Sequence, residues 1–236
     1  MTTMDTRVAV VTGSNRGLGL AIVRGLAEQG VNTVLTARSQ QAAVAAAKPL
    51  LDEGLPVTPH QLDVTDIASV SRLVADVMYA FGQLDVLVNN AAVAIDPGMS
   101  AAALDMERLK ATFETNTFGA WRCCVEVVPH MRARGYGRIV NITTHMASLS
   151  TMRRSSPAYR TSKTALNAMT RVLADELHAD NILVNAASPG MAATRMAYGK
   201  AEQTPEEAAR ALLWLTSLPD DGPSGGLFHG SELMEW

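Results

Sequence analysis

Thr12-Gly13-Ser14-Asn15-Arg16-Gly17-Leu18-Gly19 decides how this chain is read. The stretch follows a short apolar run, Val8-Ala9-Val10-Val11, and opens an amphipathic segment, Leu20-Ala21-Ile22-Val23-Arg24-Gly25-Leu26-Ala27. A glycine-rich turn between a buried strand and a helix is where a nucleotide pyrophosphate is held. The first glycine permits the tight turn, the middle one lets backbone N–H groups approach the phosphates, and the last lets helix pack closely on strand. Glycine-rich loops are common, and it is the strand before this one and the helix behind it that point to a dinucleotide site.

Outward from that turn, strand-length apolar runs alternate with helix-length amphipathic segments to the end of the chain. The pattern predicts strands over 7–12, 32–36, 56–61, 84–88, 137–142, 181–187 and 225–228. It predicts helices over 17–29, 40–53, 66–80, 103–132, 158–178 and 204–217, the 103–132 stretch being two helices. Such alternation makes a doubly wound α/β fold, a parallel sheet of about seven strands with helices on both faces. Asp66 is placed to cap the third helix, and Thr204-Pro205-Glu206-Glu207 is a helix-start signature. No linker, repeat or low-complexity segment interrupts the pattern, so residues 1–236 are expected to form one domain.

Composition narrows the function classes. A net charge of −3 with scattered arginines leaves no basic footprint for nucleic acid. No run of eighteen apolar residues is present to span a membrane, and the polar start Met1-Thr2-Thr3-Met4-Asp5-Thr6 does not read as a signal peptide. The two cysteines, Cys123 and Cys124, are sequence neighbours that cannot staple distant segments. They are too few for a metal site, and they fit helix packing in a reduced setting. The expectation is a cytoplasmic protein without a metal.

In an open parallel sheet, ligands bind beyond the carboxyl ends of the strands. Polar and glycine-containing clusters follow the predicted strands there: Thr36-Ala37-Arg38, Leu62-Asp63-Val64, Asn89-Asn90-Ala91-Ala92, Thr143-Thr144 and Ser188-Pro189-Gly190. No Asp or Glu lies between Gly30 and Leu51 to grip a ribose hydroxyl, and Arg38 stands in that place. With Arg16 it makes a guanidinium pair suited to a dianionic 2′-phosphate, the alternative being two solvated surface arginines.

Tyr159-Arg160-Thr161-Ser162-Lys163 sets a phenol and an ammonium on one helix face. A phenol near pKa ~10 needs a drop of ~3 units, or ~4 kcal/mol, to act near neutrality. An ammonium ~5 Å away supplies roughly 3 kcal/mol at an effective dielectric of ~20. Lys163 is therefore expected to do most of the tuning; alone, the two residues read equally as a surface pair.

Together, the turn at 12–19, Asn89-Asn90-Ala91, Asn116, Arg138-Ile139-Val140-Asn141-Ile142, Tyr159-x-x-x-Lys163 and Pro189-Gly190 resemble the short-chain dehydrogenase/reductase family in order and spacing. The resemblance runs from Val8 to the last strand. Val140-Asn141-Ile142-Thr143-Thr144, Pro157-Ala158-Tyr159, Thr204-Pro205-Glu206-Glu207 and Leu218-Pro219-Asp220-Asp221-Gly222 look like its bacterial carbonyl-reductase-like members. It implies a single Rossmann-type domain that binds NADP(H). Gly13, Ser14, Asn15, Arg16, Gly17, Leu18 and Gly19 would wrap the pyrophosphate, and Arg38 would select the phosphorylated cofactor. Asp63 and Val64 would border the adenine, with Asn89 and Ala91 beside the cofactor and Pro189, Gly190 and Thr194 flanking the nicotinamide. Tyr159 would be the general acid in reduction, Lys163 would bind the ribose and lower the phenol, and Asn116 would hold a water that relays protons from Lys163 to solvent.

Two positions depart from the family pattern. Ala92 stands where Asn-Asn-Ala-Gly is usual, which requires a negative φ there. Thr144 stands where the catalytic serine is usual, keeping the hydroxyl but adding a methyl that restricts χ1. Ser148, further along the loop, is the alternative donor.

The implied activity is NADPH-dependent reduction of a ketone or aldehyde, reversible as alcohol oxidation. The alternatives are a non-redox enzyme on the same scaffold, such as an isomerase or dehydratase, and a cofactor-sensing binding protein. Only a short loop, Thr194 to Thr204, would cover the pocket. Met146, Met152, Met191 and Met196 lie on bordering loops, either against an apolar substrate or simply filling core, and His145 follows Thr144 directly. The resemblance also implies a homo-oligomer built through the helices containing Trp121 and Leu173, a monomer being the alternative.

Overall fold

The computed structural model describes residues 6–193 and 203–236. In chain order its elements are β1 (Val8–Val11), α1 (Gly17–Glu28), β2 (Asn32–Ala37), α2 (Gln40–Asp52), β3 (Val57–Gln61), α3 (Ile67–Phe81) and β4 (Val86–Asn89). Then come α4 (Met106–Phe113), α5 (Ala120–Arg134), β5 (Gly137–Ile142), α6 (Pro157–Leu177), β6 (Ile182–Ser188), α7 (Pro205–Arg210), β7 (Leu227–His229) and β8 (Glu232–Met234). The sheet runs β3-β2-β1-β4-β5-β6-β7-β8 and is parallel through β7. The order reverses between β1 and β4, where a doubly wound sheet opens its ligand crevice.

The central strands are apolar on both sides because helices cover both sides. In β1, Ala9 and Val11 enter one core with Ile22, Val23 and Leu26 of α1 and Ala208, Leu212 and Leu213 near α7. Val8 and Val10 enter the other with Leu73, Val77, Val127, Met131, Leu166 and Leu177 of α3, α5 and α6. The period-two alternation of a strand divides one apolar run between two cores.

The expected elements are present, with three differences. The sheet has an eighth strand, β8, paired antiparallel with β7; a three-residue edge strand that is mostly exposed carries no apolar run to announce it. Residues 103–132 do hold two helices, but α4 passes into α5 through a π-helical turn, Glu114–Gly119, with no break in winding. The last predicted helix ends at Arg210 and continues as a 3₁₀ turn, Leu213–Thr216. Helix starts follow the sequence closely. Asp66 caps α3 through Ala68 N at 3.0 Å, and Thr204 with Glu207 forms a capping box on α7. Cys123 and Cys124 are free and buried in α5, and burial pushes both thiols up. No helix among the described residues is long and apolar enough to cross a membrane.

The end of the sheet away from the site is held by Arg138, whose side chain is wholly buried at the start of β5. Its guanidinium donates to Leu218 O at 2.8 Å, Gly137 O at 2.8 Å, Asn181 O at 3.1 Å and Asp220 Oδ1 at 2.9 Å, and it stacks on the Tyr136 ring. Arg138→Met would strand those buried carbonyls. The expected cost is about 3 kcal/mol or more in denaturant unfolding. An unchanged midpoint would show that the carbonyls find other donors.

Candidate active site

The turn after β1 is built to bring backbone, not side chains, to the surface. Gly13 has φ +61°, and a Cβ there would stand 2.9 Å from Ala91 Cα. A Cβ on Gly19 would stand 2.5 Å from Asn90 Nδ2 and 2.7 Å from Ser14 Cα. Thr12, Ser14 and Thr36 brace the turn from below. Ser14 Oγ donates to Val11 O at 2.8 Å and accepts from Thr36 N at 2.8 Å; Thr36 Oγ1 accepts from Gly13 N at 3.0 Å. Thr12 Oγ1 accepts from Asn90 N and Ala91 N, both at 2.9 Å, which ties the turn to the β4 loop.

Arg16 occupies the N-cap of α1 without making a side-chain capping bond, so the first N–H groups from Gly17 onward are left to a ligand. An oxyanion is the ligand that a bare helix start beside a glycine cradle fits.

Other cofactor candidates sit around this turn in different states. Ser14 and Leu18 are buried, and their side chains are spent on the turn and the core. The Ser14 backbone N also donates to Thr36 O at 2.8 Å, and Asn15 is half-buried. Arg16 and Arg38 are both exposed beyond the ends of the adjacent strands β1 and β2. Asp63 folds back on Thr65, accepting from its N at 2.9 Å and its Oγ1 at 2.7 Å, while Val64 is buried against Gly119. Ala92 has no positive φ, so the backbone meets the condition its methyl imposes.

Asn89 is a sheet brace. Its Nδ2 donates to Asn141 Oδ1 at 2.9 Å, and Asn141 Nδ2 donates to Thr170 Oγ1 of α6 at 2.9 Å. Thr143 Oγ1 donates to Asn167 Oδ1 at 2.7 Å one turn along. These bonds fix the height of α6 against β5. The sequence signal for Asn141 as a brace is a polar residue inside a buried strand.

Tyr159 lies in the first turn of α6, half-buried, with Lys163 one turn on and buried. Lys163 Nζ donates to Ile142 O at 2.8 Å, at the carboxyl end of β5. Thr144, two residues further, is buried and caps a 3₁₀ turn, its Oγ1 accepting from Met146 N at 3.2 Å. The protein alone does not produce the pKa tuning that the Tyr–Lys spacing predicts. Burial pushes Tyr159 up to about 12 and Lys163 down to about 7. Loss of water penalises both charged forms, and Lys163 turns to a backbone carbonyl instead of the phenol.

Asn116 sits in the π turn, where helices often open at functional positions. Its side chain is fully engaged, donating to Val93 O at 2.9 Å and Ser162 Oγ at 3.0 Å and accepting from Val93 N at 2.8 Å. Any relay at Asn116 would therefore run through its main chain.

Pro189 and Gly190 follow β6, and Pro189 O accepts from Gln203 Nε2. Gln203, which sequence reading passed over, also bridges Ala192. Met146 and Met191 are half-buried, and His145 is exposed, with its backbone N donating to Ser188 Oγ at 3.0 Å. Thr194 and Met196 lie outside the described residues.

With this geometry in hand, comparisons with known proteins agree among themselves. The short chain dehydrogenase family model matches residues 7–205. The chain is 33% identical over 280 aligned positions to carbonyl reductase [NADPH] 1 of Macaca fascicularis, covering 98% of each chain. It is 35% identical over 280 positions to carbonyl reductase [NADPH] 3 of Homo sapiens, again covering 98% of each. Among solved structures, a gluconate 5-dehydrogenase from Burkholderia cenocepacia, in complex with NADP and tartrate, superposes with a TM-score of 0.86 at 27% identity, over 96% of this chain and 94% of that one. Salutaridine reductase from Papaver somniferum does so with a TM-score of 0.84 at 28% identity, over 94% and 99%. Full-length matches of this kind make the chain a member of the short-chain dehydrogenase/reductase family.

Proposed function

We propose that the chain is an NADPH-dependent oxidoreductase that reduces a ketone or aldehyde. The observation that carries the reading is the bond of Lys163 Nζ to Ile142 O at the carboxyl end of β5, two residues before Thr144, with Tyr159 one helical turn before Lys163. Nicotinamide, when bound, supplies the hydride for the carbonyl carbon. Tyr159 donates the proton to the carbonyl oxygen, and its high pKa keeps that proton in place at neutral pH until the oxygen gains charge. Thr144 Oγ1 already accepts a bond from Met146 N, so its own hydrogen is available to the same oxygen. Lys163 takes the ribose hydroxyls, and binding an anionic cofactor nearby favours its charged form. Cofactor binding and catalysis are both assigned to one domain.

Arg16 and Arg38 carry the cofactor preference. NADPH is expected to bind at least about tenfold more tightly than NADH, or ~1.4 kcal/mol, and Arg38→Asp to abolish or reverse that order. Dissociation constants measured by quenching of protein fluorescence decide this. Equal values for the two cofactors in the parent protein would remove the basis for the assignment.

The same reading takes the protein to act in the cytoplasm and as a homo-oligomer. Exposed Phe118, Trp121 and Val125 form a stripe along the α4–α5 rod, with exposed Val172 on α6, and a second copy of the chain is the partner such a face fits. On α6 it is Val172 that is exposed, while its neighbour Leu173 is in the core.

A further inference from the structure

The work of Tyr159 depends on where the first turn of α6 sits, and α6 lacks a cap of its own. Its N-cap residue, Ser156, is left-handed at φ 49° and makes no side-chain capping bond, and Ser155 before it has φ 81°. Two consecutive non-glycine residues in that region persist only where their surroundings impose it.

What imposes it comes from another loop. Asp96, 62 residues upstream of Ala158, is wholly buried and accepts from Ala158 N at 2.6 Å and from Tyr159 N at 3.4 Å. With Pro157 as the first helical residue, those are the two N–H groups an N-cap side chain ordinarily takes. The loop that carries Asp96 is anchored along its length. Asn116 grips both backbone groups of Val93, Arg108 Nη1 donates to Ile95 O at 2.9 Å, and Gly98 N donates to Ser155 Oγ at 3.2 Å. From the other side, Arg160 donates to Ser155 O at 2.8 Å and to Met146 O at 3.1 Å, tying α6 to the turn that Thr144 begins. The second oxygen of Asp96 is buried with no partner among the described residues. The acidic side chain is held out of water there, at the start of a helix.

We propose that Asp96 is a positioning residue for the reductase reaction. It supplies from the β4–α4 loop the cap that α6 lacks, and so holds the Tyr159 phenol in register with the Thr144 hydroxyl. The inference rests on the reductase reading above.

Asp96→Ala and Asp96→Asn test it, with NADPH oxidation against benzaldehyde and acetophenone and with amide exchange over 157–163. Asp96→Ala is expected to lower kcat about 10- to 100-fold, the cost of a small misplacement, while the NADPH dissociation constant stays within about threefold. Amides of Ala158 and Tyr159 should exchange about tenfold faster. Asp96→Asn keeps an acceptor for both amides and should restore kcat to within about threefold of the parent. A folded Asp96→Ala protein with the parent's kcat, or an Asn variant as impaired as Ala, overturns the proposal. If Asp96→Ala does not fold, Asp96→Ser, whose acceptor is drawn back from the helix, takes its place with the same expected readings. Should the parent itself reduce neither carbonyl, the reductase reading fails separately. Exchange then decides the cap: equal rates in parent and variant overturn it, faster rates in the variant sustain it.

Discussion

Tyr159→Phe is expected to lower turnover by about 100-fold or more while leaving fold and NADPH affinity in place. Among the described residues the phenol oxygen has no hydrogen-bond partner, so removing it strands no buried group. The ring and its place in the first turn of α6 are kept. What is lost is the proton donor itself; Lys163 is turned to Ile142 O and Ser162 Oγ donates to Tyr159 O. Steady-state reduction and an unfolding curve, measured together, separate the two effects. A variant that keeps the parent's turnover would mean that another acid serves, and the mechanism would have to be withdrawn. Direction follows from the same group. A phenol raised to about 12 is protonated across the neutral range, which suits reduction; oxidation needs the phenolate and should gain with rising pH.

Thr144→Ala is expected to lower turnover by about 10²- to 10³-fold, the usual cost of an oxyanion donor, with NADPH affinity nearly unchanged. Thr144→Ser keeps the donor, removes a methyl and should retain activity, most visibly on bulky ketones. The geometry favours Thr144 over its rival in the same loop. Thr144 Oγ1 is used as an acceptor from Met146 N, whereas Ser148 Oγ is paired with Ser150 Oγ at 2.9 Å. Ser148→Ala, assayed alongside, should therefore have little effect. If Thr144→Ala matches the parent and Ser148→Ala loses activity, the donor is Ser148. If neither substitution matters, the hydroxyl is outside the chemistry and a non-redox reaction on this scaffold gains weight.

Local patterns in the chain account for most of the architecture. The runs expected over 7–12, 84–88 and 137–142 overlap strands Val8–Val11, Val86–Asn89 and Gly137–Ile142, because a strand covered on both faces is mostly apolar, even where β5 buries Arg138 and Asn141. Asp66 and Thr204 mark helix starts because a cap is read from its own neighbours. The glycine turn is legible for the same reason: Gly13 and Gly19 answer to constraints within a strand–turn–helix unit.

Other features leave no local trace. β8 has almost no buried face, and the π turn at Glu114–Gly119 lies inside a pattern that reads as ordinary helix. Leu173 and Val172 are adjacent, and only the packing of α6 decides that the first is core and the second surface. In the site, Ser14 and Leu18 belong to the phosphate motif, yet their side chains point into turn and core, which a motif does not specify.

By itself, then, the sequence determined the strand–helix alternation, the glycine turn, the helix caps made by neighbouring residues and the spacing of Tyr159 and Lys163, since each is set within a few residues of chain. Tertiary structure alone decided what depends on elements far apart in sequence meeting. It buried Lys163 against Ile142 O so that desolvation, not a Tyr–Lys pair, sets both pKa values. It committed the Asn116 side chain to Val93 and brought Asp96 to the uncapped start of α6. Burial and hydrogen bonding act through space, and no spacing along the chain encodes which distant group will arrive.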